Sequence, residues 1–427
     1  MDRESPEVLK HIADRLAAAD RPTYQQLALD VDQRFGTTFG TGESMRKFAV
    51  KKRLRPSLPP QDLRAAVDKE RQQIVDRAER RELAHQLREQ AKAEIVRDAI
   101  IAGIAALPPL EPVRYLPRPD TSTFLPEEVV LILSDAHVGY WLTRRRSSGL
   151  WQYNFETFRS YVRLIVDKVR SIVPRHNYRL PVLHIHFLGD IVENAIMRKS
   201  QVWEIEFGIR EQCLKAAQEF VWMIREFLTI FERVECVGLP GNHGRMSEKF
   251  GELPPGESFD LIAYDFIRLM LGNEPRFSME VVEAERHVTE ICGWRALLTH
   301  GAEIKGGFAG LPHYGVDRHN TNMSALFEDL DEGIDIVEMG HFHQGLSLPF
   351  RTWGRCFMNG CFTGATMFGL NALQKATQPL QWLFGVNEER PVTWQYGLCL
   401  VDAPPRKQRS RGSHGEAVGY LPDTQCG

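Results

Sequence analysis

Apolar residues recur at two different spacings along the chain and divide it into three regions. In residues 1–56 they follow the period of amphipathic helices, which predicts helices over PEVLKHIADRLAAA, TYQQLALDVDQRFG and ESMRKFAVKKRLRP. In residues 57–108, the stretch from DLRAAVDKE onward has alternating charges, sparse apolar residues and no proline or glycine before Gly103. This predicts one long exposed helix or coiled-coil arm. In residues 128–403, short apolar runs alternate with amphipathic stretches, the pattern of an α/β domain.

Two further segments differ in composition. Residues 109–127 are rich in proline, which ends the long helix and predicts a linker. Residues 404–427 are rich in Pro, Gly, Ser, Lys and Arg, which predicts a disordered tail. Within the α/β domain, strands are predicted over VVLILS (129–134), PVLHIHFLG (181–189), VECVGLP (234–240), RALLTH (295–300) and IDIVEMG (334–340), and helices over 155–173, 209–231 and 258–271.

The last helix of the first region is basic and has no acidic residue from Met45 to Gln61. Short helices that end in a basic one are typical of a helix-turn-helix module that binds DNA. A small helical bundle whose last helix has a solvated charged face fits the same pattern. The cations concerned are Arg46, Lys47, Lys51, Lys52, Arg53 and Arg55.

Composition and charge exclude several protein classes. With 427 residues, 43% hydrophobic and 26% charged, the chain is an ordinary globular protein, and its net charge of −3 means that any nucleic-acid affinity must come from local patches. There is no signal-peptide pattern and no apolar stretch long enough to span a bilayer, so we expect a cytosolic protein without membrane contact. Seven scattered cysteines without a C-x-x-C pair argue against a disulfide framework or a cysteine-rich zinc site.

Each of the five apolar runs ends in side chains of metal-ligand type. In open α/β sheets, functional groups collect beyond the carboxyl ends of the strands, so these groups should meet at one rim. Carboxylates and imidazoles suit two divalent cations that share a bridging carboxylate. The alternation in D-x-H and H-x-H predicts an extended segment with both side chains on one side, and Gly189, Gly241 and Gly340 are predicted to let the backbone approach a phosphate. The groups are Asp135 and His137, Asp190, Asn242 and His243, His300, and His341 and His343.

The order D-x-H, G-D-x-x-D/E, G-N-H, H, G-H-x-H resembles the calcineurin-like metallophosphoesterase superfamily over residues 128–403. The opening SDAHVG (134–139) is similar to the branch that contains the exonuclease subunit of SbcCD-type DNA repair complexes. The stretches GNHGR (241–245), LLTHGAEIKGGFAGLPHYG (297–315) and QWLFGVNEERPVTW (381–394) resemble phosphoesterases of bacteriophages and prophages. A helix-turn-helix ahead of the phosphoesterase is similar to that group as well.

This resemblance implies a four-layer α/β/β/α sandwich, two metal ions and an acid. Asp135, His137, Asp190 and His343 would hold one ion, and Asp190, Asn242, His300 and His341 the other. His243 would protonate the leaving oxygen, and Glu193 would pair with His243. Oxygen and imidazole ligands favour Mn, with Fe, Zn or Mg as alternatives. Many family members have Asp or Glu where this chain has Gly244, a departure that concerns the orientation of His243.

Cations follow every motif, which favours a polyanionic substrate and predicts a DNA nuclease. Trp141, Trp151 and Trp203 stand close to them and could stack on bases. The alternatives are a phosphatase or phosphodiesterase for nucleotides or other small esters, and a binding factor with a silent metal domain. A homodimer through residues 57–108 is also expected. The candidate DNA contacts are Arg144, Arg145, Arg146, Arg198, Lys199, Arg245, Lys305 and Arg318.

Overall fold

The chain divides into two compact units, Met1–Leu87 and Arg88–Gly427, which are described separately. Side chains and backbone come from a computed structural model. It describes residues 2–18, 20, 22–54, 60–105, 110–117, 125–176, 179–249, 251–305, 313–329, 333–367, 369–373 and 376–401. The predicted tail, 404–427, lies outside the described residues, as do parts of the predicted linker.

The first unit begins with three short helices, which confirms the helical period read from the sequence. They are α1 (Pro6–Ala17), α2 (Tyr24–Phe35) and α3 (Gly42–Lys51). A serine or threonine side chain caps each amino end by accepting a backbone N–H, as helix starts require. The three helices enclose a small apolar core. Both interpretations of this module, helix-turn-helix and plain bundle, remain predictions.

Asp32, near the end of α2, holds the following loop by accepting hydrogen bonds from Thr37 Oγ1 (2.5 Å), Phe39 N (2.8 Å) and Gly40 N (2.8 Å). Burial alone would raise the pKa of its carboxyl, but these bonds and Arg3 lower it below the usual value. Because the folded-state pKa is depressed, the stabilisation is present at neutral pH and is lost as pH falls through that pKa.

We therefore expect Asp32→Asn to destabilise α1–α3 by about 1 kcal/mol at pH 7, after allowance for solvent screening. Hydrogen exchange of the α1–α3 amides in the full chain should be roughly fivefold faster than in the wild type. The difference should shrink below about pH 4. Asp14→Asn, at an exposed position of α1, is the control, and equal exchange in all three proteins would contradict the expectation.

A single helix, α4 (Pro60–Ala105), follows and is 46 residues long. Its apolar side chains are few and largely exposed, among them Val67, Ile74, Leu83 and Leu87. The boundary between the two units falls within this helix. Dimerisation through it stays a prediction.

The second unit is an α/β domain, in which the described residues form eleven strands and four further α-helices. The strands are β1 (Glu128–Leu133), β2 (Val182–Phe187), β3 (Arg233–Gly238), β4 (Phe277–Val281), β5 (Arg286–Ile291), β6 (Trp294–Thr299), β7 (Ile336–Met339), β8 (Leu346–Phe350), β9 (Gly354–Met358), β10 (Leu380–Asn387) and β11 (Arg390–Cys399). The helices are α5 (Phe155–Ile172), α6 (Ile209–Phe227), α7 (Phe259–Met270) and α8 (His313–Glu328). All five predicted strands and three predicted helices are present.

The strands form two mixed sheets. The first has the order β11-β10-β1-β2-β3-β4, in which β1 to β4 are parallel and β10 and β11 antiparallel. The second has the order β5-β6-β7-β9-β8, in which β6, β7 and β9 are parallel. Each predicted ligand motif therefore follows a strand that has a parallel neighbour in its sheet.

Three apolar cores define four layers. Side chains of alternate positions in β1, such as Val130 and Ile132, pack between the two sheets together with Leu298 and Phe357. The opposite face of the first sheet is covered by α5, α6 and α7. The outer face of the second sheet is covered by residues of α8, including Val316. The predicted α/β/β/α sandwich with a helical N-terminal region is confirmed.

Among the described residues, no helix combines the length and apolar character needed to cross a bilayer.

Candidate metal centre

The predicted ligands converge where loops from the two sheets meet. Asp135 follows β1 and Asp190 follows β2, while His300 follows β6 and His341 follows β7. The backbone N–H of His341 donates to both carboxylate oxygens of Asp135, at 3.2 and 3.1 Å. The Nδ1 atom of His300 lies 2.7 Å from the carbonyl oxygen of Leu188. These bonds connect a motif of one sheet to a motif of the other.

The ligand loops have an unusual backbone. Five of the seven predicted ligands have positive φ: Asp135 (53°), His137 (46°), Asp190 (52°), His341 (65°) and His343 (56°). The extended conformation predicted for D-x-H and H-x-H is therefore wrong, because alternate residues adopt the left-handed region instead. That region is unfavourable for residues other than glycine. Such backbone strain persists where the surrounding structure enforces it, commonly at functional sites.

The glycines of the motifs let these loops pack against one another. A Cβ at Gly189 would lie 2.2 Å from the nitrogen of Gly241, and a Cβ at Gly241 would lie 2.2 Å from Asp190 Oδ1. At Gly340 it would lie 2.7 Å from Asp135 Oδ2. These glycines therefore allow close packing of the loops, and the approach of a phosphate to their backbone stays a prediction.

The first cluster consists of Asp135, His137 and His343. His343 Nε2 lies 3.2 Å from Asp135 Oδ1 and 3.2 Å from His137 Nε2. The other ring nitrogen of His137, Nδ1, lies 2.8 Å from Glu193 Oε2. Glu193 therefore fixes the ring so that Nε2 points into the cluster, as carboxylates commonly do for ligating histidines.

The second cluster consists of Asp190, His300, His341 and Asn242. His300 Nε2 lies 3.2 Å from Asp190 Oδ2 and 3.0 Å from Asn242 Oδ1. Burial alone would lower the pKa of His300, but Asp190 raises it to about 9. Burial and the neighbouring His300 lower the pKa of His341 to about 4.

The side chains fit divalent cations. Each of three groups has ligand atoms that all lie within 4.8 Å of one another. Ligands bound to one ion at about 2.0–2.2 Å are separated by comparable distances. Nitrogen and carboxylate donors without a thiolate suit Mn, Fe, Zn or Mg. The groups are Asp135, His137 and His343; His137, Asp190 and His243; and Asp190, His300 and His341.

His243 lies at the rim of the clusters and shares Glu193 with His137. Its Nδ1 atom is 3.2 Å from Glu193 Oε2 and 3.2 Å from the Glu193 carbonyl oxygen. Burial alone would lower the pKa of His243, but Glu193 and Asp190 raise it to about 9. A raised pKa favours the protonated imidazole that a proton donor requires.

Comparisons with known proteins find only remote structural similarity. No family model matches the chain, and no curated protein matches it. Vps29 from Entamoeba histolytica complexed with Zn²⁺ is 13% identical, with 63% of this chain and 92% of that chain covered and a TM-score of 0.29. A predicted phosphoesterase from Streptococcus pneumoniae is 10% identical, with 64% and 98% covered and a TM-score of 0.25. The 5'-nucleotidase from Candida albicans is 12% identical, with 65% of this chain and 50% of that chain covered and a TM-score of 0.30. Likeness this low leaves the reaction to be argued from the site itself.

Several polar residues that support the site were not identified from the sequence. Gln201 Nε2 donates to Glu193 Oε1 at 2.7 Å, and Asn194 Nδ2 donates to the carbonyl oxygen of His243 at 2.9 Å. Asp260, at the start of α7, is fully buried behind the Asp190 loop, and burial together with Asp190 raises its pKa to about 6. An Asp in the first turn of a helix is so common that its sequence position gave no signal.

Some of the predicted DNA contacts bind other groups of the protein, and others have exposed side chains. Arg146 and Arg198 form ion pairs with the buried Glu204, at 3.7 and 3.5 Å. Arg245 donates to the carbonyl oxygens of Asn242, Ser247 and Glu248, so its guanidinium is committed to the backbone. Arg318 donates to the carbonyl oxygen of Lys305. Arg144 is half-buried, and Arg145, Lys199 and Lys305 have exposed side chains.

The three tryptophans near the motifs also differ in the exposure of their side chains. Trp203 is 78% exposed and Trp141 is 41% exposed. Trp151 is partly buried and packs against Gly364 and the core, and its stacking on a base stays a prediction. Residues 141–146 and 198–204, here called the basic–aromatic surface, are joined by hydrogen bonds from Trp141 N to Glu204 O and from Arg146 Nη1 to Trp203 O.

Proposed function

We propose that this chain is a two-metal phosphodiester hydrolase of the calcineurin-like type that cleaves DNA. The observation that carries the proposal is the convergence of Asp, Asn and His side chains from five strand ends into two adjacent clusters. Asp190 of the second cluster also has a ligand atom within 4.8 Å of one of His137 in the first, which places its carboxylate where both clusters could share it. A shared carboxylate flanked by imidazoles is the donor set expected for a binuclear phosphoesterase. The resemblance of the motifs to phage and prophage enzymes supports a nuclease of that type.

Each part of the site has its own role in the proposed reaction. Two divalent cations, with Mn first among the candidates, would supply an activated water and neutralise charge on the phosphate oxygens. Asp190 would help to hold one ion with His300 and His341 and, from its place near His137, would be available to the other. His243, protonated and oriented by Glu193, donates its proton to the departing oxygen. Glu193 in turn accepts from Gln201, which keeps its second oxygen away from the substrate.

The surroundings of the site favour a polymer as substrate, because exposed cations and tryptophans follow the first two motifs. Two short β-bridges, Val138 with Val192 and Tyr140 with Ile205, lie next in sequence to the first two motifs and to the basic–aromatic surface. A strand of nucleic acid could therefore continue from the clusters across this surface.

The proposal is tested by comparing substrates under one condition. The protein is incubated with Mn²⁺ and single-stranded or linear double-stranded DNA, and in parallel with p-nitrophenyl phosphate and bis-p-nitrophenyl phosphate. DNA cleavage supports the proposal. Turnover of small esters alone would point to a phosphatase or phosphodiesterase, and silence with every substrate would point to a binding factor.

Trp203 provides a specific prediction for the DNA surface. Stacking on one base contributes about 1–3 kcal/mol, so Trp203→Ala should weaken binding of single-stranded DNA about tenfold or more. Turnover of bis-p-nitrophenyl phosphate should be unchanged, because that substrate does not reach the surface. Fluorescence anisotropy with a labelled oligonucleotide measures the effect.

A matched control is available for this variant. Trp353, at the turn between β8 and β9, is also 78% exposed. Trp353→Ala removes the same apolar area from another part of the surface and should leave DNA affinity unchanged. Equal effects of the two substitutions would exclude the basic–aromatic surface as the path of the strand.

A further inference from the structure

Asp260 accepts hydrogen bonds from two loops that carry predicted ligands. Its Oδ2 atom accepts from the backbone nitrogens of Asp190 (3.0 Å) and Gly241 (2.9 Å). Its Oδ1 atom accepts from Ile191 (3.0 Å) and Val192 (3.1 Å). One carboxylate therefore satisfies three buried backbone donors and one partly buried donor, and one of its oxygens joins the loop after β2 to the loop after β3.

The absence of a side chain at Gly244 leaves room for the carboxylate of Asp260. A Cβ at Gly244 would lie 2.6 Å from the carboxylate carbon of Asp260 and 2.6 Å from Ser258 Oγ. The backbone N–H of Phe259 donates to the carbonyl oxygen of Gly244 at 2.7 Å, which holds the start of α7 against the loop. An acidic side chain at position 244 and the carboxylate of Asp260 would compete for one space. The glycine and the distant aspartate are thus two parts of one arrangement.

We propose that Asp260 is the positioning residue of the metal centre: it ties the Asp190 loop to the Asn242 loop and so sets the geometry of the second cluster. The inference rests on the proposed function, since it requires that the clusters bind cations. Asp260 does not ligate an ion itself, because its oxygens face backbone N–H groups. Its effect passes through Asp190, whose backbone nitrogen it holds, and through Asn242, the residue after Gly241.

The first test is Asp260→Asn, measured as Mn²⁺ affinity by isothermal titration calorimetry at a temperature where the variant is folded. The carboxamide has one acceptor oxygen, so two of the four backbone donors lose their partner. Loss of a residue that orients ligands commonly weakens metal affinity by about 10–100-fold, and we expect a loss in that range. The melting temperature is recorded without metal in the same experiment.

Glu274→Gln is the matched control. Glu274 is also buried and accepts backbone hydrogen bonds, from Val113 N at 2.6 Å and Arg276 N at 3.2 Å. Those two donors do not belong to a ligand loop. Glu274→Gln should lower the melting temperature without changing Mn²⁺ affinity, which separates a general loss of stability from a loss of positioning.

A second variant covers the case in which Asp260→Asn does not fold. Gly244→Ala leaves Asp260 in the chain but pushes a methyl group against its carboxylate, and it should weaken Mn²⁺ affinity severalfold. Gly333→Ala, where an added Cβ meets nothing within 4 Å, should have no effect. Wild-type affinity in folded Asp260→Asn, or in Gly244→Ala if the first does not fold, would overturn the proposal. Absence of Mn²⁺ binding in the wild type would instead overturn the proposed function.

Discussion

Asp190→Asn is expected to abolish hydrolysis and to disrupt uptake of both cations. Asp190 belongs to two of the three groups of candidate ligands, one with His300 and His341 and one with His137 of the first cluster, so its carboxylate is in reach of both clusters. The amide retains the shape of the side chain and can still accept from the backbone N–H of His243, which donates to Asp190 Oδ1 at 2.6 Å. Removing the charge should cost several kcal/mol of transition-state stabilisation, about a thousandfold or more in kcat.

Metal content and turnover are measured on the same preparation. Elemental analysis of wild-type protein loaded with Mn²⁺ should give two equivalents, and Asp190→Asn should give fewer than one. Asp167→Asn, at an exposed position of α5, makes the same chemical change at the surface and should resemble the wild type. Full activity of Asp190→Asn would exclude a bridging carboxylate and with it the two-metal mechanism.

His243→Asn is expected to lower kcat for DNA by about 10²–10⁴-fold while leaving metal content unchanged. A general acid matters most when the leaving group is a basic alkoxide, such as the sugar oxygen of DNA. It matters little for p-nitrophenolate, which departs without a proton. Turnover of bis-p-nitrophenyl phosphate should therefore be nearly retained in the variant.

The pH dependence of kcat provides a second measurement of the same role. A general acid acts only when protonated, and Glu193 and Asp190 raise the pKa of His243 to about 9. DNA cleavage should fall as pH rises through that value, or through a lower one when bound cations repel the proton. His243→Asn should lack this alkaline limb. An equal loss with both substrates, accompanied by loss of metal, would show that His243 is a ligand instead, a role its proximity to His137 and Asp190 permits.

Much of the fold could be predicted because the decisive signals are local. Each of the five predicted strands is a short apolar run, and β1, β2 and β7 are buried along nearly their whole length. Some of the strands that escaped prediction are half-exposed or lie at a sheet edge. β8 (LSLPF) contains a proline and lies at a sheet edge, and β4 alternates between exposed and half-buried positions. Such strands depend on their neighbours more than on their own residues.

The site could be predicted only in part for the same reason. The ligand types and their places at strand ends are properties of the sequence, so Asp135, Asp190 and His300 could be named without a structure. Their mutual distances, the left-handed backbone of the motifs and the shared use of Glu193 arise from contacts between loops distant in sequence. No local pattern records such contacts.

The charged residues show where sequence reasoning reaches its limit. Cations near every motif predicted DNA contacts, yet Arg245 is engaged by backbone carbonyl oxygens and Arg146 by Glu204. Whether a charge faces solvent or a partner depends on its three-dimensional neighbours. Asp260 is the opposite case, an ordinary helix residue by sequence that lies behind two ligand loops.

The sequence by itself determined the kinds of ligand, their order along the chain and the strands that carry them, because hydrophobic period and residue chemistry act over a few residues. Only the tertiary structure decided which loops meet, how Asp260 and Gly244 share one space, and which cations face solvent. Those features depend on the packing of two sheets against each other, which brings residues more than a hundred positions apart within hydrogen-bond distance.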